Sequence, residues 1–287
     1  MRRIAFMNQK GGVGKTTTVA NLGAAFATLG RRVLVIDVDP QANLSTHLDF
    51  DLDSGVPTIY EVLTRRLELA DAIVETKTPG LSLLPSSIDL SGAEIELVQE
   101  MGRETILKGA VDDHVASLPE DQRPEFVLVD CPPSLGLLSL NALTTVTEVM
   151  IPIQTQFFAL RGMSKLLEVV KLVQERLNPR LELTAIIPSI ADLRTNLTGE
   201  VIQEIKRYFG AKVTRTIIRT NIRLAEAPSF GQSIFDYDRS ARGAKDFLRL
   251  AKELLGDLPA DIGDLDPGRA PEREPEATEP EPEATEP

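Results

Sequence analysis

The stretch "RRIAFMNQKGGVGKTTT", residues 2–18, permits few folds. An apolar run at 2–7 leads into three glycines, and an alanine- and leucine-rich segment at 16–29 follows, with Gly30 as its stop signal. Strand, glycine loop and helix in that order are the setting in which a backbone wraps phosphate. Gly11, Gly12 and Gly14 let the chain bend so that N–H groups from Gly11 through Val13 to Thr17 point inward. The helix N-terminus adds partial positive charge. Lys15 is placed to neutralise the β and γ phosphates of ATP, and Thr16 to offer a hydroxyl to Mg²⁺.

The rest of the chain repeats the alternation. "RRVLVIDVDP" reads as a second strand ended by Pro40, so the first unit is a right-handed parallel crossover. "LSLLPS", "FVLVDCPPS", "EVMIPI" and "LELTAIIPS" read as further buried strands. Helical patterns at 90–100, 104–118, 138–145, 162–177 and 199–209 separate them, and "SARGAKDFLRLAKELLG" is an amphipathic helix closed by Gly256. The predicted fold is α/β: a doubly wound, mostly parallel sheet of the P-loop NTPase kind with helices on both faces.

Composition narrows the class. Cys131 is the lone cysteine, which excludes an intrachain disulfide and a paired-cysteine metal site and fits a reducing cytoplasm. It is read as a small buried residue. The N-terminal apolar run is too short for a signal-peptide core, and no apolar stretch is long enough to span a bilayer. The formal charge is −12, but residues 257–287 hold eleven acidic residues and two arginines, a net of −9. Residues 1–256 therefore carry only −3 and are expected to form one domain around the phosphate loop. Residues 257–287, ending "PEREPEATEPEPEATEP", are expected to be a disordered, passive extension.

Phosphoryl transfer needs carboxylates at the C-terminal ends of strands beside the loop. "VLVIDVDPQAN" offers Asp37 and Asp39, and "FVLVDCPPS" offers Asp130. A lone Asp at a strand end is usually a turn former; three after apolar runs ask for another account.

The loop is also unusual. Gln9 stands where the common pattern has glycine, and Lys10 makes a second lysine five residues before Lys15. This loop resembles the deviant Walker A, or ParA/MinD, class of ATPases. "IDVDPQAN", "LSGAEIEL", "DCPPSLGLLSLNAL" and "NIRLAEAPSFGQSI" resemble the chromosomal ParA/Soj branch, over residues 2 to about 255. The resemblance implies that Lys10 reaches the nucleotide of a second copy, tying the ATP state to a sandwich homodimer. It implies that Asp39 positions the attacking water, that Asp37 lies near the Mg²⁺ shell and that Asp130 is the Walker B carboxylate. It places Pro228 at the nucleotide. It further implies non-specific binding to double-stranded DNA, hydrolysis stimulated by a ParB-type partner, and a cytoplasmic, nucleoid-associated protein. Departures fall at Gln156 and Arg161, where the family has acids, and at "IIRTNIRL", where Pro-Arg-Asn is common.

Between residues 194 and 223 seven basic residues face two acidic ones, a local +5 in a net negative core. Arg194, Arg219 and Arg223 are the candidate DNA contacts, with Arg194 and Arg223 singled out by the resemblance. No base-reading motif accompanies them, so contact would be to phosphates. Two rival readings are a MinD-like membrane ATPase and a nucleotide-switched scaffold for another cargo. The first expects a basic amphipathic C-terminal helix, whereas this chain ends in Pro and Glu.

Overall fold

The computed structural model describes residues 1–156 and 163–258. Seven strands form one sheet: β1 (Arg2–Phe6), β2 (Val33–Asp37), β3 (Val74–Glu75), β4 (Leu81–Leu84), β5 (Phe126–Asp130), β6 (Glu148–Gln154) and β7 (Glu182–Ser189). The first six helices are α1 (Lys15–Thr28), α2 (Asn43–His47), α3 (Ile59–Leu63), α4 (Leu69–Ala72), α5 (Leu90–Glu96) and α6 (Ile106–Ser117). The others are α7 (Leu137–Thr145), α8 (Met163–Arg176), α9 (Asn196–Phe209), α10 (Ile222–Glu226), α11 (Ile234–Tyr237) and α12 (Arg242–Leu255).

The strand order is β3-β4-β2-β5-β1-β6-β7. Every pairing is parallel except that of the two-residue β3 with β4. From β1 the chain passes to β2 on one side, and from β5 it passes to β6 on the other. The order therefore reverses at β1, and the crevice beyond its C-terminal end is where an open parallel sheet binds ligands.

Side chains alternate between two apolar cores. Ile4 and Phe6 of β1 join α1 and α12 on one face, with Phe26 and Phe247 fully buried. Ala5 of the same strand joins Leu90, Leu107, Leu138 and Leu166 from α5 to α8 on the other. Strands covered on both faces are apolar along their length, as the wholly buried "VLVID" and "FVLVD" are up to their closing aspartates. The sequence-based strands and long helices all appear. Gly256, at φ 80°, ends α12 as its C-cap. The short α2, α3, α4, α10 and α11 and the strand β3 were not foreseen. They are four or five residues, or two, too few for a period to show. Arg161 and the expected acidic extension beyond residue 258 lie outside the described residues.

Candidate active site

The loop between β1 and α1 bends where its glycines are. Gly12 has φ 72° and Gly14 has φ 89°, the left-handed region a side chain resists. A Cβ added at Gly11 or Gly12 would meet no atom within 4 Å. The space over the loop is open, as a phosphate cradle requires. Behind the loop, the Ser189 hydroxyl donates to the Val13 carbonyl at 2.7 Å, anchoring it to β7. Val13 itself is buried, so it can serve a ligand only through its backbone. The Thr18 hydroxyl donates to the Gly14 carbonyl at 2.6 Å, closing the first turn of α1.

The cavity above holds about 510 Å³ and is lined by Gly11, Gly12, Gly14, Lys15, Thr16, Thr17, Asp39, Pro133 and Pro228 among others. A second, mostly apolar lobe of about 200 Å³ shares Gly14, Thr17 and Ile190 with it and runs to Asn221, Leu224 and Phe247. Ile190 divides the lobes with φ 51°, a conformation that costs a β-branched residue strain. A polar lobe on the glycine loop joined to a small apolar one suits phosphates joined to a flat base. A wider crevice of about 630 Å³, lined by Arg65, Met101 and Asp113, shares no residue with the loop.

Asp37 and Asp130 end adjacent strands and are register partners. They do different work. Asp130 accepts from the Thr16 hydroxyl at 2.6 Å through Oδ2, while its buried Oδ1 has no hydrogen-bond partner. Burial, and then the charge of Asp37, push the Asp130 carboxyl well above its ordinary range. A buried carboxylate oxygen left unpartnered beside a hydroxyl is a site that a cation completes. The donor set fits Mg²⁺, which keeps several waters and takes its other ligands from phosphate. No larger His, Cys, Asp and Glu cluster suited to a metal exists among the described residues.

Asp37 is fully buried. Its oxygens accept from the Ser45 N–H at 2.9 Å, the Ser45 hydroxyl at 2.8 Å and the Asp39 N–H at 3.1 Å. Burial lifts its pKa to about 6 against these hydrogen bonds. Asp37, expected near the Mg²⁺ shell, stands beside Asp130, and its oxygens pin α2 and the Asp39 loop. Asp39 lines the cavity at 9% exposure, oriented by the Gln41 N–H at 3.0 Å. Pro133, in the "PPS" that resembles the family's γ-phosphate-sensing switch segment, completes the wall with Gln41, Asn43, Thr46, His47 and Ile190, which were not singled out by sequence. "DPQAN" was itself a visible signal for Gln41 and Asn43. Cys131 is fully buried and its thiol is pushed up by burial, as an inert packing residue would be.

Lys15 lines the cavity and is 8% exposed, whereas Lys10 is exposed at the start of the loop. Neither is in an ion pair among the described residues. The Lys10 ammonium donates to the side-chain oxygens of Gln154 at 3.2 Å and Gln156 at 3.0 Å.

The candidate DNA arginines are less alike than their sequence suggested. Arg194 is 89% exposed and grips Asp192 with two side-chain hydrogen bonds. Arg223 is exposed and pairs with Glu226 at 2.9 Å and Asp238 at 3.7 Å. Arg219 instead forms a two-pronged pair with Asp246, whose side chain is 3% exposed. That pair ties the segment after β7 to α12, so Arg219 has a structural task. Lys206, Arg207 and Lys212 are exposed and in no ion pair among the described residues.

An AAA domain family model matches residues 1–183. The sporulation initiation inhibitor protein Soj of Bacillus subtilis is 45% identical over 251 residues, spanning 88% of this chain and 97% of Soj. The chromosome partitioning protein ParA of Caulobacter vibrioides is 43% identical over 255 residues, spanning 89% and 94%. The chain belongs to the ParA/Soj family of partition ATPases. Cobyrinic acid a,c-diamide synthase from Mycobacterium smegmatis, solved with bound ADP and magnesium, shares the fold with a TM-score of 0.76 and 38% identity, over 89% of this chain and 94% of that one. As a ParA/Soj-type ATPase the chain takes ATP and Mg²⁺ as cofactors.

Proposed function

We propose that this ATPase is a nucleotide-switched partition protein, a sandwich dimer in its ATP state that binds double-stranded DNA without sequence preference. The loop N–H groups and Lys15 hold the phosphates. Thr16 and Asp130 hold Mg²⁺, which draws charge from the transferred phosphoryl group when bound. Asp39, fixed by the Gln41 N–H, orients the attacking water. Pro228 and the apolar lobe receive the base.

Lys10 carries the dimer reading. Its charge is exposed, held on Gln154 and Gln156, and no carboxylate among the described residues cancels it. Two triphosphates buried face to face concentrate negative charge where water is excluded, and an added cation for each lowers that cost. Dimerisation in turn supplies DNA affinity. One copy of the Arg194, Lys206, Arg207 and Arg223 surface binds phosphate weakly, and two copies bind jointly. A ParB-type partner that speeds hydrolysis would release the DNA. At the membrane, no helix among the described residues is long and apolar enough to cross it.

Two variants test this reading. Lys15→Ala abolishes ATP binding. Lys10→Ala keeps ATP affinity within about two-fold but stays monomeric with ATP, because its cation serves the other copy. Nucleotide titration and light-scattering mass decide the matter, and an ATP-driven dimer of Lys10→Ala would remove the trans role.

A further inference from the structure

Lys10 is not loose in solvent. Its backbone N–H donates to the Asn8 side-chain oxygen at 3.0 Å, and the Asn8 amide donates to the Pro152 carbonyl at 2.8 Å, stitching the loop's start to β6. Gln154 ends β6 and Gln156 follows two residues later, and both accept from the Lys10 ammonium. An ammonium can only donate, so both amides must turn their oxygens to it. The ammonium is therefore held in a defined place by two neutral acceptors. They fix its position and leave its charge uncancelled.

We propose that Gln154 and Gln156 form a parking site for Lys10, and that the neutrality of this site sets how readily ATP drives dimerisation. The inference rests on the trans reading of Lys10 given above. To reach a second copy's nucleotide the ammonium must leave its parked contacts. Neutral amides in contact with water are exchanged for water at little cost. A carboxylate in either place would add an exposed ion pair that must be broken first, worth up to about five-fold in an equilibrium constant. Each sandwich releases two such lysines, so the effect on the dimerisation constant is the square of that on one chain, up to about twenty-five-fold. Gln154 and Gln156 are thus positioning residues that act through Lys10.

The test uses the full chain with Mg²⁺ and a non-hydrolysable ATP analogue, so that turnover does not intrude. Sedimentation equilibrium is run on the parent, Gln156→Glu and Gln156→Ala, with nucleotide affinity and circular dichroism on each. Gln156→Glu should weaken dimerisation about five- to twenty-five-fold, with the deficit shrinking at high salt. Gln156→Ala should dimerise at least as well as the parent, and monomer nucleotide affinity should not move in either. Undiminished dimerisation of Gln156→Glu overturns the proposal. A second readout needs no dimer: acylation of the Lys10 amine in nucleotide-free monomer, followed by mass spectrometry. It should be several-fold slower in Gln156→Glu than in the parent and faster in Gln156→Ala. Equal rates in all three overturn the parking site. Slowed acylation in Gln156→Glu, with a parent that never dimerises, supports the parking site and refutes the dimer reading alone.

Discussion

Asp37, Asp39 and Asp130 end the same pair of strands yet face three environments, and those environments assign their work. Asp130 keeps a buried oxygen unpartnered, Asp37 spends both of its oxygens on Ser45 and Asp39, and Asp39 looks into the cavity. The sequence made all three visible because a carboxylate after an apolar run is costly unless it has a partner. It could not show that Asp37 is held by Ser45, because the place of Ser45 depends on the fold of α2. Asp39→Ala should bind ATP and dimerise but hydrolyse about 10²- to 10⁴-fold more slowly, trapping the dimer. Near-normal phosphate release by that variant would move the water-orienting role elsewhere. His47 gave no signal in the sequence. It is 2% exposed in the cavity wall, and burial lowers its pKa from 6.5 to about 4. A base held neutral by the fold contributes stability in full above pH 6.5, and loses it as pH falls toward 4. Asp37, raised to about 6, has the opposite sign: its contribution is lost as pH rises through 6. Comparing the parent with His47→Gln cancels the Asp37 part. Between pH 7 and pH 5 urea unfolding should show the parent losing more stability than His47→Gln, by an amount on the order of 2 kcal/mol. Parallel losses in the two proteins would show that His47 titrates normally.

At the level of elements, period and punctuation made the frame legible. β1, the glycine loop and α1 follow from an apolar run, three glycines and an alanine-rich helix, and Gly256 marks the end of α12. The paired element ends were not legible. The segment after β7 runs beside it through isolated bridges, Ile186 with Val213 and Ala191 with Arg219, and α12 closes over it. The Arg219–Asp246 pair crosses that junction over 27 residues of sequence, and no local spacing announces it. A pair of this kind, with Asp246 buried and Arg219 partly exposed, gives modest net stability while intact, because the Asp246 charge has left water. Removing one partner is more costly. Asp246→Ala should therefore lower the unfolding free energy by about 2–3 kcal/mol, leaving the Arg219 guanidinium without its acceptor. The double variant Asp246→Ala with Arg219→Leu should recover part of that loss. Chemical denaturation of the four proteins measures the coupling, and additive losses would show that the pair holds nothing together. The same junction walls the apolar lobe through Arg219 and Phe247, so nucleotide affinity should fall with stability in Asp246→Ala.

For the molecule as a whole, charge has to be counted in space. The window from residue 194 to 223 carries +5 along the chain. Folding brings Asp192, Glu226, Asp238 and Asp246 against its arginines, and none of these four lies inside the window. Arg219 is thereby engaged by the buried Asp246, with its side chain still 27% exposed. Arg194 and Arg223 keep exposed, exchangeable partners that a phosphate can displace, since such surface pairs are weak. A weak patch becomes useful when it is doubled, which is why DNA affinity is expected to follow the ATP state. The measurement that reaches this claim most directly is co-sedimentation with plasmid DNA and, side by side, with anionic liposomes. It is run with ATP or ADP at several salt concentrations, on the parent, Arg194→Glu and Arg223→Glu, with the mass of each protein in ATP recorded. The parent should pellet with DNA in ATP and not in ADP, lose that binding steeply as salt rises, and ignore the liposomes. Both variants should reach dimer mass in ATP and stay in the supernatant. DNA binding that is equal in ATP and ADP, or undiminished in both charge-reversed variants, would contradict the account, as would ATP-dependent pelleting with liposomes.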